Sequence, residues 1–297
     1  MAKRRNFKFV VNLPQSGTFL GMQVHFEIKT MSHRITAQDI INKKKNARRI
    51  VALTAYDYPF AQMVDEAGID LILVGDSLGM VLMGEETTRE VTMEQMIAHS
   101  KAVMKAVNRA LVVTDMPYLS YESDDQTVNN AKMLLNVTGV QAVKLEGAEE
   151  KTLSATRALK ENGIEVMGHI GLTPQSVTHP SQYRVKGKSA EEAKQLKQDA
   201  KALERAGVFA IVLECVPQDL AEEITRDLSV PTIGIGAGPH CDGQVLVLYD
   251  ILGVYDRIKP KFARPYAPIR DQVLEGLRKY KEDVMSGKFP SDKESFT

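Results

Sequence analysis

The stretch L-I-L-V-G-D-S-L-G-M, residues 71–80, joins a short apolar run to an acidic turn. Four consecutive apolar residues, 71–74, predict a strand covered on both faces, as in parallel sheets. Gly75 ends this strand, and Asp76 and Ser77 follow at its carboxyl end. That end carries the chemistry in α/β barrels, but an Asp or Ser there is also typical of a helix N-cap. This stretch alone leaves both interpretations open.

The same pattern recurs along the chain and predicts the fold. Apolar runs predict strands at 50–54, 71–74, 111–115, 142–146, 164–169, 209–214, 231–236 and 244–249. Helical patterns predict helices at 36–44, 60–67, 91–107, 124–136, 151–161, 190–206, 220–228 and 271–285. Strands that mostly alternate with helices indicate parallel βαβ units, and eight strands close a (β/α)8 TIM barrel. A doubly wound open sheet is the alternative.

The composition is typical of a globular protein without a charged macromolecular partner. The 297 residues are 43% hydrophobic and 26% charged. The 38 basic and 38 acidic residues cancel, which argues against nucleic acid or a membrane surface as a partner. The two cysteines, Cys215 and Cys241, form no C-x-x-C pair and suit a reducing cytoplasmic location.

Residues 1–31 differ from the rest of the chain. This segment is basic, with Glu27 as its one acid, and its apolar run at residues 9–11 is too short for a signal peptide. We expect a disordered or non-native extension that precedes the natural start at Met31, with an organelle transit peptide as the alternative. Residues 32–297 are then expected to form a single barrel domain with added terminal helices.

Ionisable side chains stand at the predicted strand ends, which converge on one mouth in a barrel. They are Asp76, Asp115, Lys144, Glu146, His169 and Glu214. Lys144 and Glu146 are two positions apart and therefore point to the same side of their strand. The alternative is that the acids cap helices and that the Lys–Glu pair is structural.

The carboxylates among these residues favour a hard metal ion. Asp76, Asp115 and Glu146 offer oxygen ligands without cysteine, which suits Mg²⁺ rather than zinc. A Mg²⁺ site beside a lysine and a separate carboxylate favours a chelating oxyacid substrate such as a 2-oxo acid. In such a site the metal stabilises the enolate that forms when a base removes the neighbouring proton.

Other features carry less information. The glycines of G-I-G-A-G, residues 234–238, lack the dinucleotide-binding spacing. They are a weak signal for a phosphate site, and a turn or a close backbone approach to any ligand explains them as well. Residues 171–188 lack a period and predict a long loop, a kind that is usually functional. His99 lies on the apolar face of its helix and is expected to be packed and hydrogen-bonded. Cys215 has no evident base partner and is expected to be inert.

Five motifs resemble the ketopantoate hydroxymethyltransferase family. They are V-G-D-S-L-G-M at 74–80, K-L-E-G at 144–147, G-H-I-G-L-T-P-Q at 168–175, L-E-C-V-P at 213–217 and I-G-I-G-A-G at 233–238. Their order matches the family, and the likeness runs from about residue 36 to residue 296.

The resemblance implies a barrel of the phosphoenolpyruvate/pyruvate type that assembles as a homo-oligomer, a decamer. It implies transfer of a hydroxymethyl group from 5,10-methylenetetrahydrofolate to 3-methyl-2-oxobutanoate, giving 2-dehydropantoate for pantothenate synthesis. By motif, the Mg²⁺ ligands would be Asp76, Asp115 and Glu146, and the oxoacid would contact Asp76, Ser77, Asp115 and Lys144. Glu214 would be the catalytic base, and His169 would line the pocket.

Two rival functions are weighed against this one. A Mg²⁺-dependent carbon–carbon lyase of the isocitrate lyase type generally has a cysteine in a K-[KR]-C-G-H run, which this sequence lacks. A non-catalytic metabolite-binding barrel would not need the full set of strand-end charges.

Overall fold

The strands close into a barrel. The computed structural model describes residues 34–179, 182–257 and 259–296. Eight strands of the described residues follow one another around a closed parallel barrel in chain order, and the last strand pairs with the first. The predicted (β/α)8 barrel is confirmed, and the open-sheet alternative is excluded. The expectation for residues 1–31 lies outside the described residues.

The strands have the following bounds: β1 Ile50–Thr54, β2 Leu71–Val74, β3 Leu111–Asp115, β4 Ala142–Glu146, β5 Glu165–Gly171, β6 Ala210–Glu214, β7 Thr232–Ile235 and β8 Gly243–Leu246. The first four agree with prediction. The prediction of β8 at 244–249 was wrong at its end, because Leu248–Ile251 form a helical turn instead. A continuous apolar run does not by itself distinguish a strand from a buried helix.

The α-helices have the following bounds: α1 Ala37–Lys45, α2 Tyr58–Glu66, α3 Met93–Ala106, α4 Asp124–Thr138, α5 Glu150–Glu161, α6 Ala190–Ala206, α7 Gln218–Asp227, α8 Leu248–Ile251 and α9 Arg270–Met285. Helix α3 begins at the predicted capping box, in which Thr92 and Gln95 satisfy each other's backbone N–H groups. Helix α2 begins two residues earlier than predicted, because Asp57 caps it by accepting from the Phe60 N–H.

Apolar side chains fill the barrel from below and leave the mouth to polar residues. One buried cluster joins inward-facing strand residues such as Leu71, Val113 and Met167. Ile40 of α1 is fully buried in this cluster and closes the amino-terminal end of the barrel. A second cluster packs the outer strand faces against the helices. The strands are therefore held on both sides, and the side chains at their carboxyl ends are held with them.

A smaller prediction concerns His99 of α3, and a separate finding concerns the length and polarity of the helices. Nδ1 of His99 lies 2.7 Å from the Tyr56 carbonyl oxygen, which confirms a packed, hydrogen-bonded histidine. Within the described ranges, every helix is too short or too polar to cross a membrane.

Candidate active site

The strand-end residues meet at one mouth. Asp76 follows β2, Asp115 ends β3, and β4 carries both Lys144 and Glu146. His169 lies on β5, and Glu214 ends β6. Together these six residues, called here the charged cluster, line one cavity of about 610 Å³, and Ser77 lines it with them. None of the six is the N-cap of a described helix, so the capping alternative fails.

Lys144 is the cation at the centre of the charged cluster. Its Nζ lies 3.2 Å from Asp115 Oδ1 and 3.6 Å from Glu146 Oε1, and its side chain is only 4% exposed. Burial alone would lower the pKa of Lys144, but Asp115, Glu146 and Asp76 together raise it above its ordinary value. The amine is therefore held in its protonated form.

Glu146, His169 and Glu214 form a chain of contacts beside Lys144. Nδ1 of His169 lies 3.3 Å from Glu146 Oε1, and Nε2 lies 3.2 Å from Glu214 Oε2. Burial and Lys144 oppose protonation of His169, but the two glutamates outweigh them and raise its pKa to about 9. Burial also opposes ionisation of Glu146, yet Lys144 and His169 lower its pKa. His169 thus stands between the buried carboxylate of Glu146 and that of Glu214, which is 14% exposed. Its Nδ1 also lies 3.3 Å from Lys144 Nζ, and its Nε2 has no well-aligned hydrogen bond.

Asp76 and Asp115 carry negative charge that the protein compensates incompletely. The backbone N–H of Asp76 donates to Asp115 Oδ2 at 3.1 Å, which ties the Asp115 carboxylate to the turn that carries Asp76. Burial, followed by the charges of Asp115 and Glu146, raises the pKa of Asp76 well above its ordinary value. Burial raises the pKa of Asp115 as well, although Lys144 opposes the rise. Oδ1 of Asp115 is buried without a well-aligned hydrogen bond.

Protein groups already contact the three predicted metal ligands. Glu146 directs Oε1 towards Lys144 and His169, and its Oε2 accepts from the Gln175 N–H at 3.0 Å. Within the described ranges, no group of three or more His, Cys, Asp or Glu side chains forms a ready-made metal site. Asp115 is engaged in the same way, with Oδ1 3.2 Å from Lys144 Nζ and Oδ2 accepting from the Asp76 N–H. The three carboxylates as metal ligands therefore stay a prediction.

Gln175 is a site residue that the sequence did not single out. It lies in a short 3-10 turn, Pro174–Ser176, within the predicted loop, and is only 4% exposed. Its Nε2 donates to Asp76 Oδ2 at 2.7 Å and to the Met116 carbonyl at 2.9 Å. Its Oε1 accepts from the Tyr121 hydroxyl. The only sequence signal was its place in the G-H-I-G-L-T-P-Q motif.

The remaining predictions concern Ser77, Cys215 and the glycine-rich turn. Oγ of Ser77 lies 2.9 Å from the Tyr56 hydroxyl, which fixes Ser77 at the cavity wall. Burial, then Glu214, raises the pKa of Cys215 to about 12, which agrees with an inert thiol. Gly236 and Gly238 have φ of +65° and +79°, and an added Cβ would meet Phe262 and Gln218 respectively. Backbone conformation and close packing explain these glycines.

The fold is shared with solved enzymes. A phosphonopyruvate hydrolase in complex with oxalate and Mg²⁺ superposes with a TM-score of 0.58 at 12% identity, over 88% of this chain and 93% of the other. A 2,3-dimethylmalate lyase, described as a PEP mutase/isocitrate lyase superfamily member, gives 0.57 at 17% identity, over 89% and 92%. The chain therefore shares the (β/α)8 barrel fold of these enzymes.

Sequence comparison gives the particular family. The family model described as ketopantoate hydroxymethyltransferase matches residues 34–292. A protein of Thermoanaerobacter sp. (strain X514) named 3-methyl-2-oxobutanoate hydroxymethyltransferase is 51% identical over 90% of this chain and 97% of its own length. Proteins of the same name from Syntrophomonas wolfei and Staphylothermus marinus are each 52% identical, over 89% of this chain and 96% of their own. This chain belongs to the ketopantoate hydroxymethyltransferase family.

Proposed function

We propose that this chain is a 3-methyl-2-oxobutanoate hydroxymethyltransferase that uses 5,10-methylenetetrahydrofolate and forms 2-dehydropantoate. Relatives of about half identity, matched over nearly the whole barrel, carry that name. The observation that carries the proposal is the meeting of Asp76, Asp115, Lys144 and Glu214 in one cavity. Deprotonation beside a keto group requires positive charge near the oxygen and a base near the carbon. Lys144 and a cation held by the two aspartates would supply the charge, and Glu214 would supply the base.

Asp76 and Asp115 fit a divalent cation, and we propose Mg²⁺. Burial, followed by neighbouring carboxylates, raises the pKa values of both aspartates, and Oδ1 of Asp115 has Lys144 Nζ at 3.2 Å but no well-aligned hydrogen bond. A divalent cation would stabilise the ionised form of both side chains. Mg²⁺ commonly takes one or two carboxylates and completes its shell with water and substrate oxygens, so two aspartates suffice. When bound, Mg²⁺ polarises the keto oxygen and stabilises the charge that develops on it. Glu146 is the third proposed ligand, on or near the metal ion.

Lys144 and Ser77 hold the oxoacid in this proposal. The protonated Nζ of Lys144 supplies a positive charge at the base of the cavity for the substrate's carboxylate or keto oxygen. Ser77, braced by the Tyr56 hydroxyl, offers a hydroxyl at the cavity wall. Both groups lie beside Asp76 and Asp115, so one small oxoacid can reach all of them.

Glu214 is the base in this proposal. It removes the β-hydrogen of 3-methyl-2-oxobutanoate and leaves an enolate, whose carbon forms a bond to the one-carbon unit. The carbon–nitrogen bonds of that unit break, water supplies the hydroxyl group, and tetrahydrofolate leaves with the protons released by the substrate and the water. Its carboxylate is more exposed than the other acids of the charged cluster and lines the cavity. Nε2 of His169 lies at ion-pair distance from Glu214 Oε2, 3.2 Å, without a well-aligned hydrogen bond. Because His169 is itself protonated, it is the weaker candidate for the base.

Helix α9 supports the proposed assembly into a homo-oligomer, which we take to be a decamer. None of its residues is buried, and Leu277 and Tyr280 are 59% and 58% exposed. Val273 and Val284 lie on the same helical stripe and are also exposed. An apolar stripe of this kind on a monomer is typical of a protein–protein contact. Light scattering after size exclusion measures the mass directly.

The proposed function is tested by one assay. Purified protein is given 3-methyl-2-oxobutanoate, 5,10-methylenetetrahydrofolate and Mg²⁺, and 2-dehydropantoate is measured with and without EDTA. Product that depends on both folate and metal supports the proposal. Folate-independent cleavage of a 2-methylisocitrate-type substrate would favour the lyase, and binding without turnover would favour the non-catalytic barrel.

A further inference from the structure

The cavity extends beyond what a small oxoacid fills. Its volume of about 610 Å³ lies in the range of sites that enclose ligands of drug size. The charged cluster occupies the side formed by β2 to β6. The other side, here called the apolar half, is lined by Leu246, Val247, Tyr255, Phe262 and Thr54 together with Asp250 and Lys261. With the oxoacid on the charged cluster, the apolar half is free for the second substrate.

Asp250 is the one carboxylate in the apolar half. It lies on α8, directly after β8, which stands opposite β4 in a closed eight-stranded barrel. Its side chain is half-buried, and the structure gives it no ion pair or side-chain hydrogen bond to any described residue. Burial without an opposing cation raises its pKa to about 6. A carboxylate kept in such surroundings loses hydration without gaining a protein donor, which favours a ligand that supplies one.

The surroundings define the chemistry of that ligand. Apolar walls such as Val247 and Phe262 favour a flat, weakly polar ring system. The carboxylate favours a ring edge with two adjacent N–H donors, which it can accept as a bidentate pair. The amino-pyrimidinone end of a reduced pterin has both properties.

We propose that Asp250 recognises the amino-pyrimidinone edge of the folate pterin, and that the apolar half is the pterin subsite. This proposal rests on the proposed function and assigns a residue to its second substrate. In a pterin, the edge that meets Asp250 is the far end from the nitrogens that carry the transferable carbon. The ring therefore directs that carbon away from β8 and towards the oxoacid between Lys144 and Glu214.

Tetrahydrofolate binding to the native protein and to Asp250→Asn tests the assignment. The probe is titrated by calorimetry in the presence of Mg²⁺ and 3-methyl-2-oxobutanoate. Asn keeps the size of the side chain but removes the charge and one acceptor, so the Kd should rise about 10- to 100-fold, the range for a charge-assisted hydrogen bond. Oxoacid affinity without folate should change far less. Asp125→Asn, at the exposed first turn of α4, is the matched control and should bind like the native protein.

A second measurement keeps the test valid if Asp250→Asn folds poorly. The native protein should bind tetrahydrofolate at least about tenfold more tightly than an analogue that lacks the 2-amino group. Equal affinities for probe and analogue, or equal Kd values for native protein and a folded Asp250→Asn, would overturn the assignment. Solvent exchange of the oxoacid hydrogen reports separately on the proposed function. If native protein exchanges the oxoacid hydrogen but Asp250→Asn does not change tetrahydrofolate binding, only the pterin subsite is refuted. If native protein neither exchanges the hydrogen nor binds tetrahydrofolate, the subsite and the proposed function are both refuted.

Discussion

Gln175 Nε2 donates a 2.7 Å hydrogen bond to Oδ2 of Asp76, a residue 99 positions earlier in the chain. The same amide reaches the Met116 carbonyl, and the backbone N–H of Gln175 reaches Glu146. One loop residue therefore orients two carboxylates of the charged cluster. By occupying Oδ2, it leaves the other oxygen of Asp76 free for a ligand.

Gln175→Met should weaken Mg²⁺ binding. Methionine fills a similar volume but leaves Asp76 and Met116 without their donor, so Mg²⁺ affinity should fall about tenfold, as for other residues that orient metal ligands. The free energy of unfolding should fall by about 1–3 kcal/mol. Calorimetric Mg²⁺ titration and urea unfolding measure the two effects.

Gln141→Met is the matched control for that experiment. Gln141 accepts a 2.8 Å hydrogen bond from the Val112 N–H at the opposite end of the strands. Its replacement should reduce stability without changing Mg²⁺ affinity. Equal Mg²⁺ affinities in native protein and Gln175→Met would show that Gln175 only supports the fold.

The contrast between Asp76 and Gln175 shows which site residues can be predicted from the sequence and which cannot. Asp76 and Lys144 could be predicted because each stands at the end of, or within, an apolar run, and a barrel brings such ends together. Gln175 lies in a loop without periodicity, and its partners are set by chain closure rather than by local pattern. Asp250 directly follows the predicted strand at 244–249, yet it was not grouped with the other strand-end charges. In the structure it lies on the helical turn Leu248–Ile251, after β8 has ended at Leu246.

Asp76→Asn and Asp115→Asn should each weaken Mg²⁺ binding. Each change removes one ligand charge while keeping the side-chain size, so affinity should fall about tenfold or more. Asp65→Asn is the control, because Asp65 accepts from backbone N–H groups of Arg109 and Ala110 away from the cavity. Unchanged Mg²⁺ titrations in both mouth variants would rule out this pair as the metal ligands.

The metal-free protein should lose stability between pH 6.5 and about 9. Folding raises the pKa of His169 from 6.5 to about 9, so its stabilising effect is complete below pH 6.5 and is lost as pH rises through 9. The slope contributed by one such group is at most about 1.4 kcal/mol per pH unit. Urea unfolding in EDTA should show this slope in native protein and a shallower one in His169→Gln. Identical slopes would contradict a protonated His169.

Lys144 should not form a Schiff base with the oxoacid. Its amine is held protonated by Asp115 and Glu146, and a protonated amine is not a nucleophile. Borohydride added to protein, Mg²⁺ and 3-methyl-2-oxobutanoate should leave the mass of the Lys144 peptide unchanged. A reduced adduct on that peptide would replace the enolate mechanism with an imine mechanism.

In the proposed reaction, Glu214 deprotonates the oxoacid beside the charged cluster. Enolisation exchanges the single β-hydrogen of 3-methyl-2-oxobutanoate with solvent, so NMR in D₂O follows this step without the transfer reaction. Glu214→Gln keeps the shape and hydrogen bonding of the side chain but removes the base. Glu204→Gln is the control, since Glu204 lies on α6 and bonds to Ser229 outside the cavity.

Native protein and Glu204→Gln, each with Mg²⁺, should wash out this NMR signal at the same rate. Exchange by Glu214→Gln should be about 10²–10⁴-fold slower, the usual contribution of a positioned base, while oxoacid affinity changes far less. If Glu214→Gln exchanges the hydrogen at the native rate while overall transfer is lost, Glu214 is not the base. Another residue would then be the base, with His169 the first to test, and Glu214 would act in the folate half of the reaction.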